Sequence, residues 1–229
     1  MIGDPVALTI RRNFPRPAPA LVDRYRDTPS GFVTDAFNGR GSLHHSVKPI
    51  DPAMHFHGTA VTALCGPMDN LAAMAVLDFV QPGDVIVIAA AGDEFAAVIG
   101  DLWAIWAKKI GVAAIIVDGL VRDVPGLLDA DIPVFARGHC PNSGFKNGPG
   151  EVNLGVTCAG VHIEPGDILV GDRDGIVCVP RVQAETVAQR LDEVRKKEAE
   201  ALAKVRSGQK LAFWNETGLK ERNAIRYVD

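Results

Sequence analysis

Residues 82–123, PGDVIVIAAAGDEFAAVIGDLWAIWAKKIGVAAIIVDGLVRD, contain the pattern from which the fold can be predicted. Residues 85–91 are apolar at every position, which is typical of a parallel strand that is covered on both faces. Residues 96–111 carry apolar side chains at helical spacing and end at a glycine, and residues 112–117 form a second apolar run. The order of strand, helix and strand predicts a βαβ unit with a right-handed crossover.

The segment GDEF at 92–95 is expected to end the first strand, so that the helix follows it directly. The apolar residues that give the helix its spacing are Leu102, Ile105, Trp106 and Ile110. We expect Trp103 and Trp106 to belong to the core rather than to a platform for a substrate, because large aromatic side chains are mostly buried in globular proteins.

The α/β pattern continues on both sides of this unit. Further strands are predicted at 59–64 and 132–136, and a helix is predicted at 70–80. From residue 150 to residue 180, short apolar runs are separated by Pro-Gly and Asp-Gly turns, which predicts hairpins. Residues 181–206 predict a long charged helix with too little apolar surface to be a core element.

Composition narrows the class of protein. The chain has 229 residues, enough for one sizeable core, with a net charge of −4 and a sequence pI near 5.9. This charge predicts no basic face, so we expect no nucleic-acid partner. Neither a signal peptide nor a membrane span is evident, and the four scattered cysteines form no CxxC pair, so we expect a cytoplasmic protein with reduced thiols and no membrane partner.

Polar groups collect where the two strands of the βαβ unit end. Both strand ends and the start of the helix lie at one sheet edge, where ligands of open α/β sheets bind. That edge is predicted to gather the backbone amides of Gly100, Asp101, Leu102 and Trp103 and the side chains of Arg122 and Asp123. Free amides and an arginine favour an anion, whereas the Asp123 carboxylate suits Mg²⁺ or Mn²⁺. A small 2-oxo acid is the simplest ligand that uses both.

Other interpretations of these residues stay open. An arginine next to an aspartate after a strand is often a surface salt bridge, and Asp101 is equally suited to be a helix N-cap. Schiff-base chemistry needs a desolvated lysine, but the buried strands contain none, and Lys108 and Lys109 come late in the helix. The residues therefore favour a metal route over a lysine route.

Two pairs of histidines are weaker candidates. His55 and His57 share one strand face and could bind a metal, although a pair without further ligands is more often structural. His44 and His45 lie in a glycine-rich loop and could line the site.

The residues at the sheet edge resemble the motif of a known family. Asp101, followed after twenty residues by Arg122-Asp123, is similar to the D-x20-R-D motif of RraA-like proteins. That family includes the class II 4-hydroxy-4-methyl-2-oxoglutarate / 4-carboxy-4-hydroxy-2-oxoadipate aldolases. The likeness covers roughly residues 30–180, where the following segments occur in the family's order: SGFVTDAF, PGDVIVI, AAIIVDGLVRD, IPVFARG and PGDILVGDRDGIVCVP.

The resemblance implies an α/β fold, an αββα sandwich of the swivelling-domain type, with a C-terminal helical extension. The α/β domain with its N-terminal arm would occupy residues 1–180, and the helix and tail would occupy residues 181–229. It implies a homotrimer or homohexamer with sites at subunit interfaces. We expect the helix and tail to pack on a neighbouring subunit, with Phe213 and Trp214 as anchors.

The resemblance also implies roles for the site residues. The carboxylate of pyruvate would lie on the amides from Gly100 to Trp103, and Arg122 would contact the substrate oxygens. Asp123 would hold Mg²⁺ or Mn²⁺, directly or through water. A glutamate from the C-terminal helix of a neighbouring subunit would also serve the metal, and here Glu198 is the candidate, with Glu200 second.

The implied reaction is the cleavage of a 4-hydroxy-2-oxo diacid to pyruvate and a second oxo acid, with decarboxylation of oxaloacetate as a side activity. Arg122 and Asp101 are the candidate catalytic groups, and the base would be a water that is either linked to the metal or held by Asp101. Some relatives instead regulate a ribonuclease by contact, which is the alternative function. A methyltransferase is not favoured, because no glycine-rich fingerprint follows a strand.

Overall fold

The computed structural model describes residues 6–228. Its strands are β1 (Leu8–Ile10), β2 (Lys48–Pro49), β3 (Phe56–Leu64), β4 (Asp84–Ile99), β5 (Ala114–Val121), β6 (Val134–His139), β7 (Gly150–Val152), β8 (Val156–Cys158), β9 (Val161–Ile163), β10 (Ile168–Asp172) and β11 (Gly175–Val179). Its α-helices are α1 (Pro19–Asp23), α2 (Ser30–Ala36), α3 (Leu71–Ala75), α4 (Asp101–Ile110), α5 (Val124–Asp129), α6 (Ala184–Arg206) and α7 (Glu216–Glu221). Short 3₁₀ helices span Val76–Phe79 and Arg181–Gln183.

The centre of the fold is a set of four parallel strands in the order β3, β4, β5 and β6. Helix α4 connects β4 to β5, so the predicted βαβ unit is confirmed. At one side, β7 pairs antiparallel with β3 and parallel with β1, and at the other side β2 pairs antiparallel with β6. The hairpins predicted after residue 150 are β8–β9 and β10–β11, and β10 also pairs with β3.

Both faces of the central strands are covered, as their uninterrupted apolar sequence predicts. On one face Ile86 and Ile88 of β4 lie in a cluster with residues of α3, α4 and α5, among them Trp103. On the other face Val85 and Val87 lie in a cluster with residues of the two hairpins. Helix α2 contacts β10 and β11 from outside. This layered α/β arrangement confirms the predicted fold class.

The path from β4 into α4 differs from the prediction. Strand β4 continues through residues 92–95 to Ile99, and its pairing with β5 shifts register three times on the way. The first shift accompanies two residues with positive φ, Ala91 and Gly92, so the chain bends and then resumes pairing instead of leaving the sheet. Helix α4 therefore begins only at Asp101.

Helix α4 also buries a different face from the one that its apolar spacing predicted. Its buried residues are Trp103, Ala104 and Ala107, whereas Leu102 and Trp106 are 79% and 55% exposed. Trp103 lies in the core as expected, and its indole N–H donates to the carbonyl of Ala73 over 2.9 Å. The expectation for Trp106 was wrong, because alanines let this helix lie close to the sheet and leave its larger apolar residues outside.

The chain forms two compact units, Met1–Leu191 and Asp192–Asp229. The first turns of α6 belong to the first unit, where Val187 and Leu191 are buried. In the second unit, the Asn215 side chain caps α7 by accepting a hydrogen bond from Gly218 N over 2.9 Å. Packing of this unit on a neighbouring subunit stays a prediction. Among residues 6–228, we find no helix that combines the length and the apolar character needed to cross a membrane.

Candidate active site

A pocket of about 560 Å³ opens where β4 and β5 end and α4 begins. Its walls are residues 97–99 at the end of β4, residues 100–103 at the start of α4, and Arg122 with Asp123. Asn70 and Met74 line it from the region of α3, and Ser143, Gly144 and Lys146 line it from the loop after β6. The structure thus brings together all the residues predicted for the substrate, as well as Asp123.

Gly100 is the residue that allows this convergence. A Cβ atom at this position would lie 2.5 Å from Asp123 Oδ2 and 3.2 Å from Arg122 Nε. The two charged side chains therefore occupy the space that a side chain at residue 100 would fill, directly over the start of α4. Because the first N–H groups of a helix have no acceptor within the helix, this is a place where an anion is favoured.

Arg122 and Asp123 form an ion pair, with 3.1 Å between Arg122 Nε and Asp123 Oδ2. The two side chains are 41% and 42% exposed. A second guanidinium nitrogen of Arg122 donates to the Ser143 hydroxyl. The salt bridge that was the alternative interpretation of these two residues is thus present. It forms part of the wall of a pocket rather than part of an open surface.

The backbone of Asp123 has an uncommon conformation. Its φ and ψ of 58° and 42° place it in the left-handed region, which costs a non-glycine residue of order 1 kcal/mol. Asp123 is the N-cap residue of α5, and its carbonyl accepts from Leu127 N over 3.0 Å. This turn directs the carboxylate back toward Gly100 instead of along the strand.

Asp101 is the first residue of α4, after Gly100 as N-cap. Its Oδ1 accepts a hydrogen bond from the Leu102 N–H over 2.7 Å. Its carboxylate also lies against α5, since a Cβ atom at Gly126 would come within 2.6 Å of Asp101 Oδ2. One of the four predicted amides, that of Leu102, is therefore already engaged by Asp101, and the carboxylate is held at the edge of the pocket.

Sequence reasoning missed the residues that the loop after β6 contributes, Ser143 and Lys146. No motif marks them, because they are separated from Arg122 by a helix and a strand. Topology offered one signal: β6 is parallel to β5, so the segment after β6 must emerge at the same sheet edge.

The other candidates lie elsewhere. His44 and His45 stack with their ring centres 4.3 Å apart and do not line this pocket. His55 and His57 line a different pocket of about 320 Å³, and burial, followed by the charge of Arg26, lowers the pKa of His57. Within residues 6–228, no group of three or more His, Cys, Asp and Glu side chains is placed to hold a metal ion.

The cysteines take no part in this site. Burial raises the pKa of Cys65 to about 12 and raises the pKa values of Cys158 and Cys178 as well, so these thiols stay protonated at neutral pH. Cys140 is only half-buried.

A model of the RraA-like family, described as Aldolase/RraA, matches residues 21–178. The chain belongs to the RraA-like family. The match confirms the resemblance drawn from the residues at the sheet edge, and it covers all of the first-unit residues named in this pocket.

The names of proteins similar to this RraA-like protein point both to catalysis and to regulation. The protein named "Putative 4-hydroxy-4-methyl-2-oxoglutarate aldolase" from Halalkalibacterium halodurans is 36% identical over 82% of this chain and 88% of its own length. A crystal structure of Streptomyces coelicolor RraAS2, described as an unusual member of the RNase ES inhibitor RraA protein family, is 28% identical with a TM-score of 0.72. The match covers 83% of this chain and 100% of the RraAS2 chain.

The fold is also shared with an uncharacterized protein from Pseudomonas syringae pv. tomato str. DC3000. Its structure superposes with a TM-score of 0.76 over 86% of this chain and 97% of that one, at 24% identity.

Replacement of Gly100 by alanine tests the close approach. We expect Gly100→Ala to lower the free energy of unfolding by only about 1 kcal/mol, because the added methyl group meets side-chain atoms of Asp123 and Arg122 rather than backbone. The affinity for pyruvate in the presence of Mn²⁺, measured by calorimetry, should fall at least about tenfold, since Asp123 and Arg122 must move. Gly31→Ala is the matched control, because a Cβ atom there meets nothing within 4 Å. Unchanged affinity in Gly100→Ala would show that the two side chains do not contact the ligand.

Proposed function

We propose that this protein is a metal-dependent, class II aldolase that cleaves a 4-hydroxy-2-oxo diacid to pyruvate and a second oxo acid. The observation that carries the proposal is the single pocket in which Arg122 and Asp123 cover the N-terminus of α4. The aldolase name of the relative from Halalkalibacterium halodurans supports the same reaction class.

The donor set of the pocket fits Mg²⁺ or Mn²⁺, which proteins bind through one or two carboxylates while several waters are retained. Asp123 would hold the ion directly or through water, and Asp101, at the edge of the pocket, would hold a bound water. When bound, a divalent cation supplies a Lewis acid that polarises the keto oxygen of the substrate.

Binding of the pyruvate half follows from the helix and the arginine. The N–H groups at the start of α4 other than that of Leu102, which donates to Asp101, would bind the carboxylate. The first N–H groups of a helix have no backbone acceptor within it, and the helix dipole favours an anion there. The guanidinium of Arg122 would donate to the C2 oxygen. Ser143 accepts from the other side of the guanidinium and fixes its plane in this orientation.

Cleavage begins when a base removes the proton from the C4 hydroxyl. A water held by Asp101 is the proposed base. The electron pair of that O–H bond forms the carbonyl of the departing oxo acid, and the pair of the C3–C4 bond moves into an enolate whose charge develops on the C2 oxygen. Arg122 stabilises that charge, which is greater in the transition state than in the substrate. Protonation at C3 then gives pyruvate. Loss of CO₂ from oxaloacetate leaves the same enolate, so decarboxylation is the proposed side activity.

We propose a homotrimer or homohexamer in which Glu198 of a neighbouring subunit completes the metal site. Large apolar side chains are exposed around the pocket, with Leu102 at 79%, Phe95 at 71% and Phe145 at 59%. Exposed apolar patches of this kind usually mark protein contacts. Glu198 is itself exposed on the polar part of α6 and is available to another chain.

Regulation of a ribonuclease by contact is the second candidate function. It is favoured by the match to RraAS2, whose description names an RNase ES inhibitor family. The two functions are separable, because inhibition needs a binding surface whereas cleavage needs Arg122 and Asp123.

Removal of metal tests the proposed chemistry. We expect pyruvate formation from a panel of 4-hydroxy-2-oxo acids and oxaloacetate to vanish in EDTA and to return with Mg²⁺ or Mn²⁺, because the enolate needs a Lewis acid. Full turnover in EDTA, together with a borohydride-trapped adduct on Lys146, would establish the lysine route instead. Absence of pyruvate from every substrate, with inhibition of a ribonuclease, would favour the regulator.

Replacement of Arg122 by lysine tests catalysis against a simple ion pair. We expect Arg122→Lys to lower kcat/KM at least about 100-fold, because a single ammonium cannot replace a planar fork that contacts two partners at once. Arg173→Lys, in the exposed β10–β11 turn, is the matched control. Near-normal kcat/KM in Arg122→Lys would show that Arg122 serves only as the structural ion-pair partner of Asp123.

Mixing two inactive variants tests the shared site. Glu198→Gln and Asp123→Asn should each be nearly inactive alone, whereas chains refolded together should regain part of the activity. Recovery is expected because some interfaces then combine an intact Asp123 with an intact Glu198 from the neighbour. If Glu198→Gln alone retains full activity, or if mixing restores none, Glu198 does not complete the site.

A further inference from the structure

The pocket is lined by a second cationic side chain, which has no role in the proposed cleavage. Lys146 lines the pocket together with Arg122, and its side chain is exposed. Arg122 is engaged by Asp123 and Ser143. Lys146, in contrast, has no ion-pair partner within residues 6–228, so its charge is available to a ligand.

The backbone on both sides of Lys146 is fixed. Before it, Phe145 donates to the carbonyl of Met68 over 2.7 Å and accepts from Asn70 N over 2.8 Å. After it, the N–H groups of residues 147–148 donate to the buried Asp69 carboxylate over 2.6 and 2.9 Å. The position of the lysine stem is therefore set by the fold, although its charged end is free to move.

The same loop is also tied to the strand that carries the site. Ala97 N donates to the Asn142 carbonyl over 3.0 Å, and the Asn142 side chain donates to the Phe95 carbonyl over 3.0 Å. Gly144 lies against the backbone near residue 69, where a Cβ atom would be 3.2 Å from the Met68 carbonyl oxygen. The loop thus holds Lys146 and the end of β4 in one fixed arrangement.

The charges in the pocket indicate which part of the substrate Lys146 would contact. The pyruvate half of a diacid is already served by the start of α4 and by Arg122. The second carboxylate, on the far side of C4, would enter a pocket whose other charged groups are the acids Asp101 and Asp123, which repel it. Lys146 is the cation that remains to neutralise it.

We infer that Lys146 binds the second carboxylate of the substrate and so determines the preference for diacids over monoacids. The inference rests on the proposed function and deepens it, since it assigns the half of the substrate that leaves as the second oxo acid. A lysine suits this role because its ammonium is a point charge on a flexible stem, which can follow carboxylates attached at different distances from C4. The pocket volume of about 560 Å³ leaves room for such a substituent beside pyruvate.

The test compares two substrates that share the pyruvate half. 4-Hydroxy-2-oxoglutarate carries a second carboxylate, and 4-hydroxy-2-oxopentanoate carries a methyl group instead. In Lys146→Met, kcat/KM for the diacid should fall at least about tenfold, mostly through KM, while the value for the monoacid stays within about threefold. Inhibition by pyruvate, which has no second carboxylate, should be unchanged. Lys146→Arg should restore most of the diacid preference.

Lys109→Met is the matched control, because Lys109 is an exposed lysine near the end of α4 and does not line the pocket. It should leave both substrates unaffected. The inference would be overturned, and the proposed function left intact, by the following result. The wild-type protein cleaves both substrates, and the ratio of kcat/KM for the diacid to kcat/KM for the monoacid is the same in Lys146→Met as in the wild type. An equal loss on both substrates in Lys146→Met would overturn it as well. A wild-type protein that cleaves neither would overturn the proposed function and the inference together.

Discussion

The site depends on the close approach of two charged side chains to the backbone at Gly100. Strands β4 and β5 are parallel neighbours, so their ends are level, and the chain that leaves β4 turns into α4 beside the chain that leaves β5. Any side chain at residue 100 would occupy the position of the Asp123 carboxylate. The helix N-terminus, the guanidinium of Arg122 and the carboxylate of Asp123 can share one pocket only because residue 100 has no side chain to fill that space.

A second close approach, between Asp101 and Gly126, reinforces the arrangement. Asp101 lies against α5 because residue 126 is also a glycine, and the left-handed conformation of Asp123 turns α5 toward α4. The pocket consequently presents two carboxylates and two cations within one enclosure. Such a set suits a ligand that brings both an anion and a metal ion, whereas a pocket of one sign would favour only one of them.

Membership in the RraA-like family establishes the fold but does not choose between an aldolase and a regulator, since one fold often carries unrelated functions. The pocket carries the groups proposed for catalysis, and the exposed apolar side chains around it are the surface proposed for assembly. The exposed apolar face of α4 lies in the first compact unit, and residues 192–206 of α6 lie in the second.

Local sequence patterns were enough to predict the βαβ unit, the hairpins after residue 150 and the group formed by Gly100, Arg122 and Asp123. These follow from local patterns, because continuous apolar runs, turn residues and strand ends are properties of short segments. The register shifts that carry β4 to Ile99 and the exposed face of α4 were decided only by tertiary packing, since the pairing of β5 holds residues 96–99 in the sheet. The same holds for Lys146. Its place in the pocket depends on hydrogen bonds between the segments around residues 69 and 147, which are far apart in the chain.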